Sequence, residues 1–379
     1  MRLLFSGCRN VMDAADLKRI KRIVVRSPNW VGDAVLTTPA IRAVRQGLPN
    51  AQITVLAKPW VAPVFYSNPD IDEVFLYDAK ERHRGWFGKA RLARELRKIG
   101  FDLAVLFQNA FEAALLTCLA GVPRRLGYDT DGRSPFLTHC VALSKNHKQG
   151  HQIDYYLGIL EGASLKVSSR DLILVLTEED RASAQVILRR RGIEEKDRLV
   201  AINPGAAYGS AKRWPAERYA ALCDRIQTQW KVKTIILGGP GEESVGLHIS
   251  KLMKQPCVSL CGETSLREAA AVIERCHLFV TNDSGLMHIA AALDIPLIAL
   301  FGPTDPVATG PANPRSQVVQ VPTSCSPCLK RECPEDHRCM ERITVERVHG
   351  VASAFLNRTS EPIPRSLPQG IFNSGDHRG

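Results

Sequence analysis

Lys21-Arg22-Ile23-Val24-Val25-Arg26-Ser27-Pro28-Asn29-Trp30-Val31-Gly32-Asp33 is the stretch on which the fold turns. A β-branched run gives way to a turn carrying Pro28 and Gly32, and a helical stretch opens at Ala34, so the segment predicts strand, loop, helix. Working outward, the same order recurs. Gln52 to Leu56, Glu73 to Tyr77 and Asp102 to Phe107 are short apolar runs separated by helical stretches. It restarts at Arg198 to Ile202 and continues through Lys233 to Leu237, His277 to Val280 and Pro296 to Leu300. Strands alternating with helices imply parallel sheets. Two such halves imply an α/β chain of two doubly wound domains facing a central cleft, because ligands sit beyond the carboxyl ends of the strands.

Between the halves lie Glu178-Glu179-Asp180 and a helical stretch closing in Arg189-Arg190-Arg191-Gly192. The boundary is expected near residue 180, giving domains over 20–180 and 181–356. Residues 1–19 read as a loose extension with Met12 an alternative start. Leu4-Phe5-Ser6-Gly7-Cys8 looks like a lipoprotein cleavage site, but only Leu3 to Phe5 precede it, where an apolar region of at least about 7 residues is needed. Residues 357–379 are polar and rich in Pro and Gly, the composition of a disordered tail.

A chain of 379 residues suits two domains, and 45% hydrophobic with 23% charged residues excludes disorder for its bulk. The longest apolar stretch, His288 to Phe301, is broken by Asp294 and Pro296, short of the roughly 20 residues a bilayer crossing needs. Eleven cysteines without an export signal predict reduced thiols in the cytoplasm. The net charge of +11 points to a polyanionic partner: nucleic acid, anionic membrane or phosphorylated substrate. No zinc-finger spacing, RRM aromatic motif or helix-turn-helix is evident, so no nucleic acid is expected.

Three loops after strands carry the chemistry. Asp33, at the start of a helix, reads either as a capping carboxylate or as a general base at the mouth of the cleft. In Asn203-Pro204-Gly205-Ala206-Ala207-Tyr208-Gly209-Ser210-Ala211-Lys212-Arg213-Trp214-Pro215, small residues let amides approach an anion and Lys212 brings a cation, or the basic residues are simply solvated. In Thr281-Asn282-Asp283-Ser284-Gly285-Leu286-Met287-His288, the first helical turn offers free N–H groups to an anion. There Asp283 alternatively caps the helix and His288 is alternatively a satisfied core histidine. Gly238-Gly239-Pro240-Gly241-Glu242-Glu243 is either a ribose-binding acidic turn or a plain turn into a helix.

Taken in order, Ser27 to Asp33, Asn203-Pro204-Gly205 with Ala211 to Pro215, and Asn282 to His288 with Phe301-Gly302-Pro303-Thr304 resemble the lipopolysaccharide heptosyltransferases of glycosyltransferase family 9. The resemblance spans roughly residues 20 to 356. It implies two Rossmann-like domains in the glycosyltransferase B arrangement. It also implies inverting transfer of L-glycero-D-manno-heptose from ADP-heptose to a lipid A-linked core oligosaccharide, with no cofactor required for catalysis. On this resemblance Asp33 matches the catalytic aspartate and Lys212 the donor-contacting lysine. Gly205, Asp283, Ser284, Gly285, Leu286, Met287 and His288 line the donor, and Glu242, with Glu243 beside it, falls where a carboxylate meets the adenosine ribose. Ala207 and Tyr208 depart from the hydroxyl residues that some members carry before the lysine. Asn29 and Trp30 face the acceptor. The enzyme is expected to act as a monomer, peripheral on the cytoplasmic face of the inner membrane. Another core position, another donor sugar, or a non-catalytic nucleotide-sugar or membrane-surface binding role are the alternatives.

Two further features are unusual. From Arg82 to Lys98 seven basic residues stand against Glu95 alone, with Trp86, Phe87, Leu92 and Leu96 interleaved. This is a basic amphipathic helix, whose charges are either solvated or, through Arg91 and Arg94, dock acceptor phosphates and carboxylates or the anionic membrane. Cys325, Cys328, Cys333 and Cys339, in a loop over 325–339, are compact enough for a structural zinc, for free thiols packing a loop, or for disulfides.

Overall fold

The computed structural model describes Met12 and residues 17–357. Apart from Met12, residues 17–19 and Asn357, the expected N-terminal extension and C-terminal tail lie outside the described residues.

Among the described residues twelve strands form two six-stranded sheets. The first contains β1 (Arg22–Arg26), β2 (Gln52–Ala57), β3 (Glu73–Leu76), β4 (Leu103–Leu106), β5 (Arg124–Tyr128) and β6 (His139–Val141), in the order β3-β2-β1-β4-β5-β6. The second contains β7 (Leu199–Asn203), β8 (Lys233–Ile236), β9 (Cys257–Ser259), β10 (Leu278–Asn282), β11 (Leu297–Phe301) and β12 (Ser316–Gln320), in the order β12-β11-β10-β7-β8-β9. Every pairing is parallel. Central strands covered on both faces must be apolar throughout, which is why Ile23, Val24 and Val25 are all fully buried. Val24 pairs with Thr54 on one side and Ala104 on the other.

Strand order reverses between β1 and β4 and again between β7 and β10. These switch points are where a doubly wound sheet opens a crevice. The loops after β1, β7 and β10 are the three that carry Asp33, Lys212 and Asp283, so the topology alone brings the candidate chemistry to the crevices.

The helix Glu178–Arg190 begins in a capping box formed by Thr177 and Asp180. It packs on helix Leu266–Glu274, where Arg181 clamps Glu274 and Ser183 donates to Glu268. The Arg267 side chain binds Asp180 and reaches the first half, donating to the Pro63 and Tyr66 carbonyls at 3.3 Å each. One buried apolar cluster runs from Ile23, Val25 and Val55 to Phe279, Met287 and Leu297, joining both sheets.

Helices Val31–Leu36 and Gly285–Ala292 meet at their first turns. A Cβ added to Gly32 would lie 2.7 Å from His288 Cδ2, and one added to Gly285 would lie 3.1 Å from Val31 Cβ. Glycine at both positions permits this approach.

Among the described residues nine cysteines are free thiols. Cys140, on the edge strand β6, is disulfide-bonded, so the expectation of reduced thiols does not hold at that position.

Candidate active site

Asp33 does not cap its helix. Trp30 occupies the cap position without a side-chain cap bond, and Asp33 sits in the first turn facing the second half of the chain. The capping reading therefore fails. Burial first, and then the like charge of Asp283, raise the Asp33 carboxyl to about 6 against the pull of Lys212 and of the Tyr156 hydroxyl bonded to it. A carboxylate poised there is a working base near neutral pH.

Lys212 ends a short turn, Ser210–Lys212, and its Nζ lies 2.6 Å from Asp283 Oδ2. Asp283 is therefore held by a cation instead of capping a helix. The cap is Ser284, whose Oγ accepts from the Met287 N–H. Ser284 Oγ in turn donates to Asn203 Oδ1 at 2.7 Å, and Asn203 Nδ2 donates to the Leu237 carbonyl at 2.9 Å. Asn282 Nδ2 donates to the Pro204 carbonyl at 2.8 Å, while its Oδ1 accepts from the Trp214 N–H and the Tyr219 hydroxyl. The carboxyl ends of β7 and β10 are thereby stitched together, which fixes the Lys212 loop against the Asp283 loop.

His288 is buried, but its Nδ1 finds no partner among the described residues. It is thus not the satisfied core histidine of one reading. Burial pulls its pKa down to about 4, so the ring is neutral beside Gly32. Gly285, Leu286 and Met287 form the first turn of the same helix and present its N-terminal amides beside Asp283.

Glu242 Oε2 accepts from the Gly239 N–H at 2.8 Å, and its carboxylate lies over Gly205 so closely that an added Cβ would overlap it. Glu243 instead accepts from the Gly241 N–H and turns toward Gly262. Of the two acids, Glu242 faces the Gly205 loop.

The Cys-rich loop does something that sequence alone does not reveal: it braces the Lys212 loop. Tyr208 OH donates to the Leu329 carbonyl at 2.9 Å, Ala211 N–H donates to the Arg331 carbonyl at 3.0 Å, and His337 Nε2 lies 2.7 Å from the Ala211 carbonyl. Lys212 and Arg331 both lie over the Tyr208 ring, at 4.9 and 5.4 Å. Tyr208 is the platform for both cations. Cys325, Cys328, Cys333 and Cys339 are free thiols, so the disulfide alternative is corrected. Among the described residues no group of three or more His, Cys, Asp or Glu side chains is arranged to hold a metal ion. Cys339 is buried against Gly302, and burial pushes its thiol up to about 11.

On the first half, Asn29 Oδ1 accepts from Arg26 Nη2 at 2.8 Å and its carbonyl accepts from Trp60 Nε1 at 2.9 Å, leaving Trp30 51% exposed. Arg91 and Arg94 are exposed on helix Gly85–Ile99; Trp86 and Phe87, 75% and 93% exposed, stand in its first turn. Sequence reasoning missed Arg26, Lys58 and Tyr77, which converge at the ends of three strands. The signal that points to them is a basic residue directly at or after an apolar strand.

The family model of glycosyltransferase family 9 (heptosyltransferase) matches residues 89–338. The chain belongs to glycosyltransferase family 9. This family 9 chain is 28% identical to lipopolysaccharide heptosyltransferase 2 of Salmonella typhimurium over 336 residues, covering 86% of the chain and 96% of that protein. The solved structure of Escherichia coli ADP-heptose LPS heptosyltransferase II matches with a TM-score of 0.77 at 27% identity, covering 90% of this chain and 100% of that one. A family 9 glycosyltransferase from Veillonella parvula matches with a TM-score of 0.82 at 30% identity, covering 92% and 99%. The resemblance read from the sequence, the two-sheet α/β fold and the glycosyltransferase class are borne out. The matched residues include Lys212, Glu242 and Asp283; Asp33 precedes them, so its part rests on the geometry above.

Proposed function

We propose that this family 9 glycosyltransferase moves L-glycero-D-manno-heptose from ADP-heptose onto the heptosyl-Kdo2-lipid A inner core, with inversion at the anomeric carbon. The observation that carries the reading is the meeting of a base and an anion site across one cleft: Asp33, raised to about 6, opposite the Lys212–Asp283 pair and the N-terminal turn of helix Gly285–Ala292.

In this reading the acceptor hydroxyl attacks the donor's anomeric carbon as its proton passes to Asp33. The bond from that carbon to the diphosphate oxygen breaks, and ADP leaves. Negative charge grows on the diphosphate, where Lys212 and the amides of Gly285 and Leu286 receive it, so no cofactor is required for the step. Glu242, over Gly205, takes the ribose hydroxyls, and Asp283 holds Lys212 until the donor arrives. His288, neutral and pressed on Gly32, lends the donor an N–H or a lone pair. Asn29 and Trp30 receive the acceptor sugar.

The acceptor is lipid-linked, and among the described residues no helix is long and apolar enough to cross a membrane. Peripheral docking on the cytoplasmic face of the inner membrane is supported by Trp86 and Phe87, bare in the first turn of a helix that also exposes Arg91 and Arg94. The enzyme acts in this reading as a monomer.

Donor competition tests the reading. ADP-heptose should outcompete uridine- and guanosine-diphosphate sugars for turnover; equal use of a non-adenosine donor would contradict it.

A further inference from the structure

We propose that Lys58, backed by Arg26, is a binding site for an anionic oxygen group, carboxylate or phosphate, on the acceptor. The proposal deepens the acceptor half of the function proposed above and rests on that reading for its ligand.

Arg26 ends β1, Lys58 follows the end of β2, Tyr77 follows the end of β3, and Glu112 opens the helix after β4. Parallel pairing in the order β3-β2-β1-β4 sets all four on one rim. Arg26 is 3% and Lys58 8% exposed. The Arg26 guanidinium donates to the Ser27 and Leu56 carbonyls and to Asn29 Oδ1. Lys58 Nζ lies 3.4 Å from the centre of the Tyr77 ring, with no hydrogen-bond partner among the described residues. Arg26 Cζ lies 5.5 Å from the same ring.

The carboxylates at hand are already committed. Glu112 accepts from Lys89 Nζ and from the Tyr77 hydroxyl, each at 2.6 Å. Asp78 accepts from the N–H groups of Lys80 and Glu81. Burial and then Arg26 pull Lys58 down to about 8; Lys89 adds to this, while Glu112 and Asp78 oppose it. An aromatic face returns only part of what desolvating an ammonium costs. An unbranched apolar side chain would pack against Tyr77 without that cost, so the retained charge points to a ligand that supplies the missing anion. The site adjoins the acceptor loop: Arg26 holds the Asn29 side chain and Trp60 holds its carbonyl, four residues before Asp33.

The test compares full-length wild type with Lys58→Met and Lys58→Arg. Inorganic phosphate and acetate are titrated separately by calorimetry, thermal melting is recorded, and Michaelis constants are measured for donor and acceptor. Expected is saturable anion binding that weakens on the order of tenfold or more in Lys58→Met and survives in Lys58→Arg. The acceptor KM should rise by a similar factor with the donor KM unchanged, and Lys58→Met should melt at or above the wild-type temperature. Preference for phosphate or for acetate identifies which acceptor group is bound. The acceptor KM of wild type should also rise above about pH 8 as Lys58 loses its proton. Wild type that binds neither anion, or a Lys58→Met variant that melts lower and keeps its acceptor KM, would overturn the proposal and make Lys58 a packing residue. Anion binding and melting require no turnover, so they stand or fall separately from the heptosyl reading.

Discussion

Asp33 and Lys212 are coupled through Asp283, and the coupling has measurable consequences. Asp33 is held near 6 against an ordinary 3.8, and a base works only when ionised, so kcat/KM should rise through about pH 6 and stay level until Lys58 loses its proton near pH 8. The sign for stability is opposite. A carboxyl whose pKa is raised by folding favours the fold while protonated, and that contribution is lost as pH rises through 6. Asp33→Asn should therefore raise Tm relative to wild type at pH 7 but not at pH 4, as melting at both values would reveal. Lys212→Met leaves the buried Asp283 without its cation, a loss of about 3–5 kcal/mol by analogy with other broken buried pairs. It should also weaken donor binding and shift the acid limb to higher pH, since Lys212 is what holds Asp33 down; an unmoved limb would separate the two residues.

The loops are positioned by elements distant in sequence. Gly209 packs so tightly on the Arg331 carbonyl that a Cβ would overlap backbone, which cannot swing aside. Gly209→Ala should cost about 1–3 kcal/mol and raise the donor KM by displacing the Lys212 loop from its brace. Gly205→Ala meets a side chain instead, the Glu242 carboxylate, and should raise the donor KM with little loss of Tm. A donor KM unchanged in both would remove the Gly205 to Lys212 loop from the donor site. This division also explains what could be read in advance. Strand, loop and helix around Asp33, Lys212 and Asp283 were legible because each loop directly follows its own apolar run, so local order fixes its place. Whether Asp33 or Asp283 capped a helix was not, because Trp30 and Ser284 compete for those positions and tertiary contacts decide. The brace of Tyr208 by Leu329 and the convergence of Arg26, Lys58 and Tyr77 were hidden for the same reason: they join residues that only the sheet order brings together.

Over the whole molecule, the crevices of two sheets face each other through glycines 32 and 285, while an aromatic and basic surface lies on the first half. Replacing Trp86 and Phe87 by Ala should lower recovery on anionic vesicles by about tenfold or more without changing kcat with a delipidated acceptor. Neutralising Arg91 and Arg94 should raise the acceptor KM and leave ADP-heptose affinity unchanged; vesicle sedimentation and steady-state kinetics separate these effects. The most direct test of heptosyl transfer through Asp33 is ADP release from ADP-heptose, with and without heptosyl-Kdo2-lipid A, for wild type and Asp33→Asn. Acceptor-dependent release in wild type, reduced by about 10²–10⁴ in the variant with donor binding intact, is the expected result. No release from wild type, or equal release from the variant, would contradict it.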